Sequence, residues 1–374
     1  MSDAVLVTGG AGFIGSHLVD RLVAQGRCVK VLDVVEAQVH GQTNGYRNSR
    51  AEYMEGNVLD RDLVMSALDG VDSVVHLAAQ VGVGQSMYEM VRYVRENSLG
   101  TAVLLEAMAD KRDAISSLVV ASSMSIYGEG QYACPRCASD HAEAVRTPSA
   151  LQARRWEPVC VACGTELMPR PTSEAKRLRA DSVYAITKRD HEDLCLVFGR
   201  AYGVRTVALR FFNTYGRRQS LSNPYTGVVA IFASRLLNDS SPTVFEDGLQ
   251  TRDFVHVSDI VQAIELAIGA EGVGDVALNV GTGTPTTVLE VAHALARELH
   301  IDCPPMLLGR FRHGDVRHCY ADISAARHAF GYEPKVDLRA GLSDLIAWIA
   351  EAAPEARDLT HQSTLELETR GLVV

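Results

Sequence analysis

Two textures of apolar residues alternate along this chain. Short continuous runs of strand character stand at residues 4–8, 28–33, 72–77, 116–121 and 204–210. Between them lie stretches with apolar positions three and four apart, among them 18–23, 86–109 and 183–202. Buried strands read as unbroken apolar runs, and amphipathic helices as an i, i+3, i+4 repeat. Their alternation predicts an α/β fold, a parallel sheet covered by helices on both faces. From about residue 212 the alternation gives way to turn-rich segments such as Asn223–Gly227 and Glu246–Gly248. This predicts a smaller C-terminal lobe, residues 212–354, interleaved with the last strands of the sheet. Residues 355–374 have weak periodicity and are expected to form a tail or an arm.

The first strand runs directly into Thr8-Gly9-Gly10-Ala11-Gly12-Phe13-Ile14-Gly15, and a helical pattern follows. Glycines at 9, 12 and 15 suit a strand-turn-helix that wraps a pyrophosphate. The helix N-terminus then turns its amides to the anion. A glycine-rich loop also fits an ordinary tight turn, but the second apolar run ends at Asp33. An acidic residue about 20 positions after the loop is placed to bind a ribose 2′-hydroxyl, and it would repel a 2′-phosphate. The expected ligand is NAD rather than NADP, in a Rossmann-type doubly wound domain over residues 1–211. Leu77, Ala78 and Ala79 are expected where the adenosine half meets the backbone, with His76 either a ligand contact or a packed strand-end histidine.

Length and composition fit one large α/β domain with a smaller lobe: 374 residues, 47% hydrophobic and 22% charged. The formal net charge of -10 argues against nucleic acid as the main partner. No apolar run reaches 18 residues, so no membrane-spanning helix is expected. The apolar N-terminal segment contains the glycine loop and lacks a basic flank. It is expected to belong to the fold rather than to a signal peptide, with the cytoplasm as the default location.

Tyr184 and Lys188 stand four apart at the start of a helical pattern, which puts both on one face. A nearby ammonium and a positive nicotinamide ring would both favour phenolate, so the tyrosine could take a sugar hydroxyl proton. A solvated helix face has the same spacing. Ser122 and Ser123, however, end an apolar strand, where open α/β sheets build their sites.

These features resemble the extended short-chain dehydrogenase/reductases, in their nucleotide-sugar epimerase/dehydratase branch. The resemblance covers nearly the whole chain: the opening loop, HLAAQ at 76–80, NSLGT at 97–101, SSMSIYG at 122–128, YAITK at 184–188, RFFNTYG at 210–216, RDFVHVSD at 252–259 and RHGDVRH at 312–318. It implies Ser123, Tyr184 and Lys188 as catalytic residues. It implies an NAD site of Gly9, Gly12, Phe13, Ile14, Gly15, Asp33, Asn57, Val58, Leu77, Ala78, Ala79, Gln80, Asn97, Ser122, Tyr184, Lys188 and Phe211. Asn213, Arg252 and Arg312 would hold a substrate diphosphate, and Asp315 would lie near its ribose. Arginine forks match phosphate oxygens, although any single arginine also fits a surface salt bridge. Val83, Gln85, Ser86, Met124, Ser125, Val229 and Phe232 are expected around the sugar. One departure is Asn57-Val58, where the branch often has an aspartate before the apolar residue. A homodimer through the helices at 86–109 and 183–202 is implied as well.

In the 4,6-dehydratases of the branch an Asp-Glu pair follows the catalytic hydroxyl residue. Here those positions are Met124 and Ser125, which argues against dehydration. Hydride and proton transfer at one carbon remains, as in a 4-epimerase. The stretch from Asn213 through Gly227 to Gly248 looks most like dTDP-L-rhamnose 4-epimerases, which form dTDP-6-deoxy-L-talose. Another nucleotide-sugar 4-epimerase, a UDP-glucuronate decarboxylase and a ketoreductase are the alternatives within the branch. A dinucleotide-sensing regulator and a partner-binding scaffold are the alternatives outside it.

Cys134-x-x-Cys137 and Cys160-x-x-Cys163 form two knuckles within residues 132–170. Four thiolates so spaced suit a structural Zn²⁺, with unmetallated thiols or a redox pair as the alternatives. Metal there would order a long insert near the mouth of the site. Cys28, Cys195, Cys303 and Cys319 are scattered and expected to be buried small hydrophobes.

Overall fold

The structure, a computed structural model, describes residues 4–40, 46–140, 144–312, 314–352 and 356–373. In chain order the first half runs β1 (Ala4–Thr8), α1 (Phe13–Ala24), β2 (Cys28–Asp33), β3 (Glu52–Glu55), α2 (Arg61–Ala67), β4 (Ser73–His76), α3 (Gly100–Asp110), β5 (Ser117–Ser123), α4 (Val183–Tyr202) and β6 (Arg205–Phe211). The remainder supplies α5 (Val228–Leu237), α6 (Val257–Gly269), β7 (Val276–Val280), α7 (Val288–Glu298), α8 (Leu338–Ala352) and α9 (Thr360–Thr369). The seven strands form one parallel sheet in the order β7-β6-β5-β4-β1-β2-β3.

A parallel sheet with both faces covered reads as continuous apolar strands. Every residue of β1 and β5 is buried. Val5, Val7 and Val119 pack against Leu18, Leu22, Ile260 and Ile264 of α1 and α6. Leu6, Leu118 and Val120 point the other way, toward Val64, Leu104, Met108 and Phe198 of α2, α3 and α4. The strand order reverses between β1 and β4, which opens a crevice beyond the strands' carboxyl ends. β1, β2, β4, β5 and β6 lie within a residue or two of the apolar runs. The edge strand β3, Glu-Tyr-Met-Glu, has no apolar run to announce it and is only partly buried.

After β6 the chain leaves the sheet, and it returns once as β7. The segments between and beyond build a second core from Tyr215, Phe232, Leu236, Val291, Leu295, Leu345 and Trp348. The expected division between residues 354 and 355 lies outside the described residues. Beyond it the chain is not a loose tail: α9 folds back, burying Ser363 and Leu367. The cysteine insert is closed at its base by antiparallel pairing of Gln131–Ala133 with Met168–Arg170. It has a small core of Tyr132, Cys134, Cys160 and Leu167. Of the scattered cysteines, Cys195 and Cys319 are buried as expected, but Cys28 is exposed and Cys303 is partly so. Cys28 opens β2 at the strand's solvent end, and the buried part of β2 begins at Val29.

Candidate active site

One cleft of about 640 Å³ lies across the carboxyl ends of the strands and the second lobe. At its floor Gly9 has φ +73°, and a Cβ there would come within 2.8 Å of the Ala78 nitrogen. A Cβ on Gly15 would overlap the Gly9 carbonyl oxygen, so α1 can approach the loop only with glycine present. α1 starts after Gly12 with no side-chain cap and no acid in its first turn, leaving its N-terminus open to an anion. The Asp33 carboxylate accepts the N–H groups of Ala11 and Val35, both at 2.9 Å, at the edge of the same cleft. Asn57 donates to Glu96 at 2.6 Å and accepts the Leu59 N–H at 2.9 Å. Phe13, Ile14, Val58, Leu77, Ala78, Ala79, Gln80, Ser122 and Phe211 also line the cleft. A glycine floor, an uncapped helix and a carboxylate at the end of β2 fit a dinucleotide.

β5 delivers Ser123 and α4 delivers Tyr184 and Lys188 to the middle of the cleft. α4 starts there because the Ser182 hydroxyl caps it, accepting the Ala185 N–H at 3.1 Å. Ser123 Oγ accepts the Ser125 N–H at 3.1 Å and the Ser125 hydroxyl at 2.9 Å. Burial pushes the Tyr184 phenol above the ordinary tyrosine value, with a hydrogen bond to Ser123 working against it. Lys188 is 3% exposed, and burial lowers its ammonium to about 7. Its Nζ donates to the Ala121 carbonyl at 2.9 Å, so in this structure the ammonium is anchored to β5 and does not tune the phenol directly.

Val83, Met124, Ser125, Asn213, Val229, Phe232, Arg252, Arg312 and Asp315 line the cleft as well. Arg312 donates to Asp315 Oδ2 at 2.9 Å and lies over the Phe245 ring at 4.6 Å. Arg252 reaches Asp315 Oδ1 at 3.4 Å. Burial would raise the Asp315 carboxyl, but Arg312, Arg252 and Arg146 outweigh it and hold it below the usual carboxylate range.

Three expected contacts do not line the cleft. Asn97, fully buried, accepts the Gln80 N–H at 2.7 Å and donates to Thr187 Oγ1 at 2.9 Å, fixing the wall from behind. Ser86 accepts the Tyr184 N–H at 3.0 Å and so anchors the first turn of α4. Gln85 is held by Gln38 and Glu89. His76 is a packed strand-end histidine, bonded to Thr8 at 2.7 Å and Thr101 at 3.0 Å.

The family described as Epimerase, NAD dependent epimerase/dehydratase family, matches residues 5–154 and 149–281. The chain belongs to this family. It is 32% identical to a dTDP-L-rhamnose 4-epimerase of Burkholderia thailandensis, over 93% of this chain and 95% of the relative. A UDP-glucose 4-epimerase of Thermotoga maritima, solved with UDP-glucose, superposes with TM-score 0.76 at 31% identity, over 93% of this chain and 99% of that one. A UDP-glucuronic acid 4-epimerase of Bacillus cereus, solved with UDP-glucuronic acid and NAD, gives TM-score 0.77 at 26% identity, over 93% and 99%.

Within this epimerase/dehydratase member, sequence reasoning missed the roof of the cleft. Thr360, Ser363, Thr364 and Leu367 of α9 line it. Glu366 accepts the Tyr88 and Tyr225 hydroxyls at 2.8 and 2.7 Å, tying α9 to both lobes. The face turned to the cleft is mostly polar, so no apolar stripe marks the helix. Its only signal is the helical spacing of positions 360, 363, 364 and 367.

The four clustered cysteines offer sulfurs within 4.8 Å of one another. Cys134 Sγ and Cys163 Sγ are 3.5 Å apart, and Cys137 Sγ and Cys160 Sγ 3.9 Å. A disulfide needs about 2.05 Å. Tetrahedral Zn–S bonds of about 2.3 Å place sulfurs about 3.8 Å apart. The donor set fits tetrahedral zinc and does not fit a disulfide. It lies outside the cleft lining, apart from any reacting centre.

Proposed function

We propose that the protein is an NAD-dependent 4-epimerase of nucleotide-diphosphate sugars, with dTDP-L-rhamnose and dTDP-6-deoxy-L-talose as its substrate pair. The supporting observation is a serine, tyrosine and lysine in one cleft with the glycine loop, with Met124 and Ser125 where a dehydratase would need an acid and a base. UDP-sugars are the second reading, favoured by the solved relatives with UDP-sugars bound. The test is a panel of dTDP- and UDP-sugars: inversion at C4 of one of them supports the proposal, and elimination of water to a 4-keto-6-deoxy product would refute it.

NAD, held by the Gly9–Gly15 loop, Asp33 and Lys188, would supply a hydride acceptor and donor at the sugar C4. Asp33 would hold the adenosine ribose, and the α1 N-terminus the pyrophosphate. Tyr184 takes the proton of the sugar C4 hydroxyl, and Ser123 holds that oxygen. Lys188 serves as the positive partner that lets a buried phenol act near neutral pH, a role for which it must leave Ala121 or share it with ribose. Arg252, Arg312 and Asn213 hold the diphosphate, so the planar 4-keto sugar can turn over while its anchor stays fixed. Tyr184 then returns the proton.

Cys134, Cys137, Cys160 and Cys163 would hold a structural zinc that orders residues 132–170. A homodimer is supported by apolar residues left exposed on the segments at 90–99 and 183–202, namely Met90, Val91, Val94, Leu99, Ile186 and Val197. We divide the chain into a dinucleotide domain, 1–211, and a substrate lobe, 212–354, with α9 as a roof contributed by 355–374.

A further inference from the structure

The cysteine insert contributes nothing to the cleft lining, yet two of its charged side chains reach the back of the phosphate-facing loop. That loop, 312–318, carries Arg312 and Asp315 on its front. Arg146 of the insert, with a side chain 7% exposed, donates to the Asp315 carbonyl oxygen at 3.1 Å. It also pairs with Glu246 and, at 3.4 Å, with Glu129. Glu157 of the insert accepts Arg317 Nε at 2.9 Å and pairs with His318 Nε2 at 2.9 Å. Arg317 is 1% exposed and also binds Glu246 at 3.0 Å and Asp247 at 2.6 Å. Glu129 takes the Arg317 backbone N–H at 2.8 Å.

The same loop is gripped from the front. Arg252 donates to the Arg317 carbonyl at 3.1 Å and to the Val316 carbonyl. Consecutive backbone groups from Asp315 to Arg317 are therefore held between a cleft arginine and an insert arginine. Such a network has discrete geometry, because the buried charges of Arg146, Arg317 and Glu246 are uncompensated once a partner is lost. Glu157 shows the coupling: burial opposes its ionisation, but His318 and Arg317 hold it down at about 2.

We propose that the insert is a positioning element for the substrate diphosphate: Arg146 and Glu157 fix the 312–318 loop from behind, and a metal in the cysteine cluster keeps them there. This rests on the reading of Arg252 and Arg312 as the diphosphate holders. Arg146 and Glu157 are positioning residues. Their loss acts on nucleotide affinity and KM, and not on NAD retention or on the chemical step.

The experiment uses the full-length protein with its purified metal and NAD. Binding of UDP and dTDP is measured by calorimetry for the wild type, Arg146→Gln, Glu157→Gln and the exposed insert control Arg136→Ala, and again after chelation. The expected result is at least a tenfold loss of nucleotide affinity in R146Q, in E157Q and in the chelated wild type. NAD content is unchanged, kcat stays within about twofold at saturating sugar, and R136A behaves as wild type. Unchanged affinity in both R146Q and E157Q overturns the positioning role. Full affinity after metal removal overturns the metal's part in it. Arg312→Ala separates the underlying reading: if that variant binds UDP and dTDP as well as wild type, the assignment of the diphosphate site has failed instead.

Discussion

Lys188 Nζ lies 2.9 Å from the carbonyl oxygen of Ala121, two residues before Ser123 on the same strand. One hydrogen bond thus ties the helix that carries Tyr184 to the strand that carries Ser123. Desolvation of the buried ammonium lowers that group to about 7.

The depressed lysine has a signature in stability. Its folded value, about 7, lies below its unfolded value of 10.5, so the folded protein gives up the proton first. Stability is penalised below pH 7 and recovers as pH rises from about 7 to about 10. Across that window the wild type gains on the order of 1 kcal/mol per pH unit relative to Lys188→Met. Urea denaturation of both proteins, freed of NAD, at pH 7 and pH 9 checks this. An identical difference at the two values would show an unperturbed lysine.

Ser122, next to the candidate catalytic serine, donates to Glu192 at 2.7 Å, and Glu192 takes Arg210 Nε at 2.9 Å. Both members of this pair are buried, and Arg210 also donates to the Tyr127 hydroxyl at 2.7 Å. Arg210→Met strands the carboxylate and is expected to cost about 3–5 kcal/mol. The double variant Arg210→Met/Glu192→Met recovers part of that loss. Equal unfolding midpoints for wild type and R210M would contradict the pairing.

α9 is expected to act on the sugar and not on NAD, because Leu367 packs beside Gly84 and its neighbours face the cleft. A chain ending at residue 358 should retain NAD while its KM for the nucleotide sugar rises about tenfold, as expected when a roof that excludes water is lost. Wild-type KM in the shortened protein would rule out that role.

Much of this was legible in the residues, for identifiable reasons. β1 and β5 are buried on both faces, so they stand out as apolar runs, and Gly9 and Gly15 sit where any Cβ would strike backbone. β3 escaped because an edge strand needs no apolar run. α9 escaped because the face it turns to a ligand cleft is polar. Asn97 lies in the 97–101 motif and Ser86 near the expected sugar contacts, but one-dimensional spacing does not separate a residue in the wall from one behind it. Glu157 meets Arg317, 160 positions further along the chain, and Arg146 meets the Asp315 carbonyl, 169 positions further along. Nothing in local sequence pairs them.

The most direct measurement follows deuterium at C4 of the accepted nucleotide sugar by NMR, with wild type and Tyr184→Phe side by side. The account predicts a C4 epimer that keeps its deuterium with no net consumption of NAD, and a Y184F protein that retains NAD but turns over about 10²–10⁴-fold more slowly. Deuterium lost to solvent, or Y184F working at the wild-type rate, would contradict it.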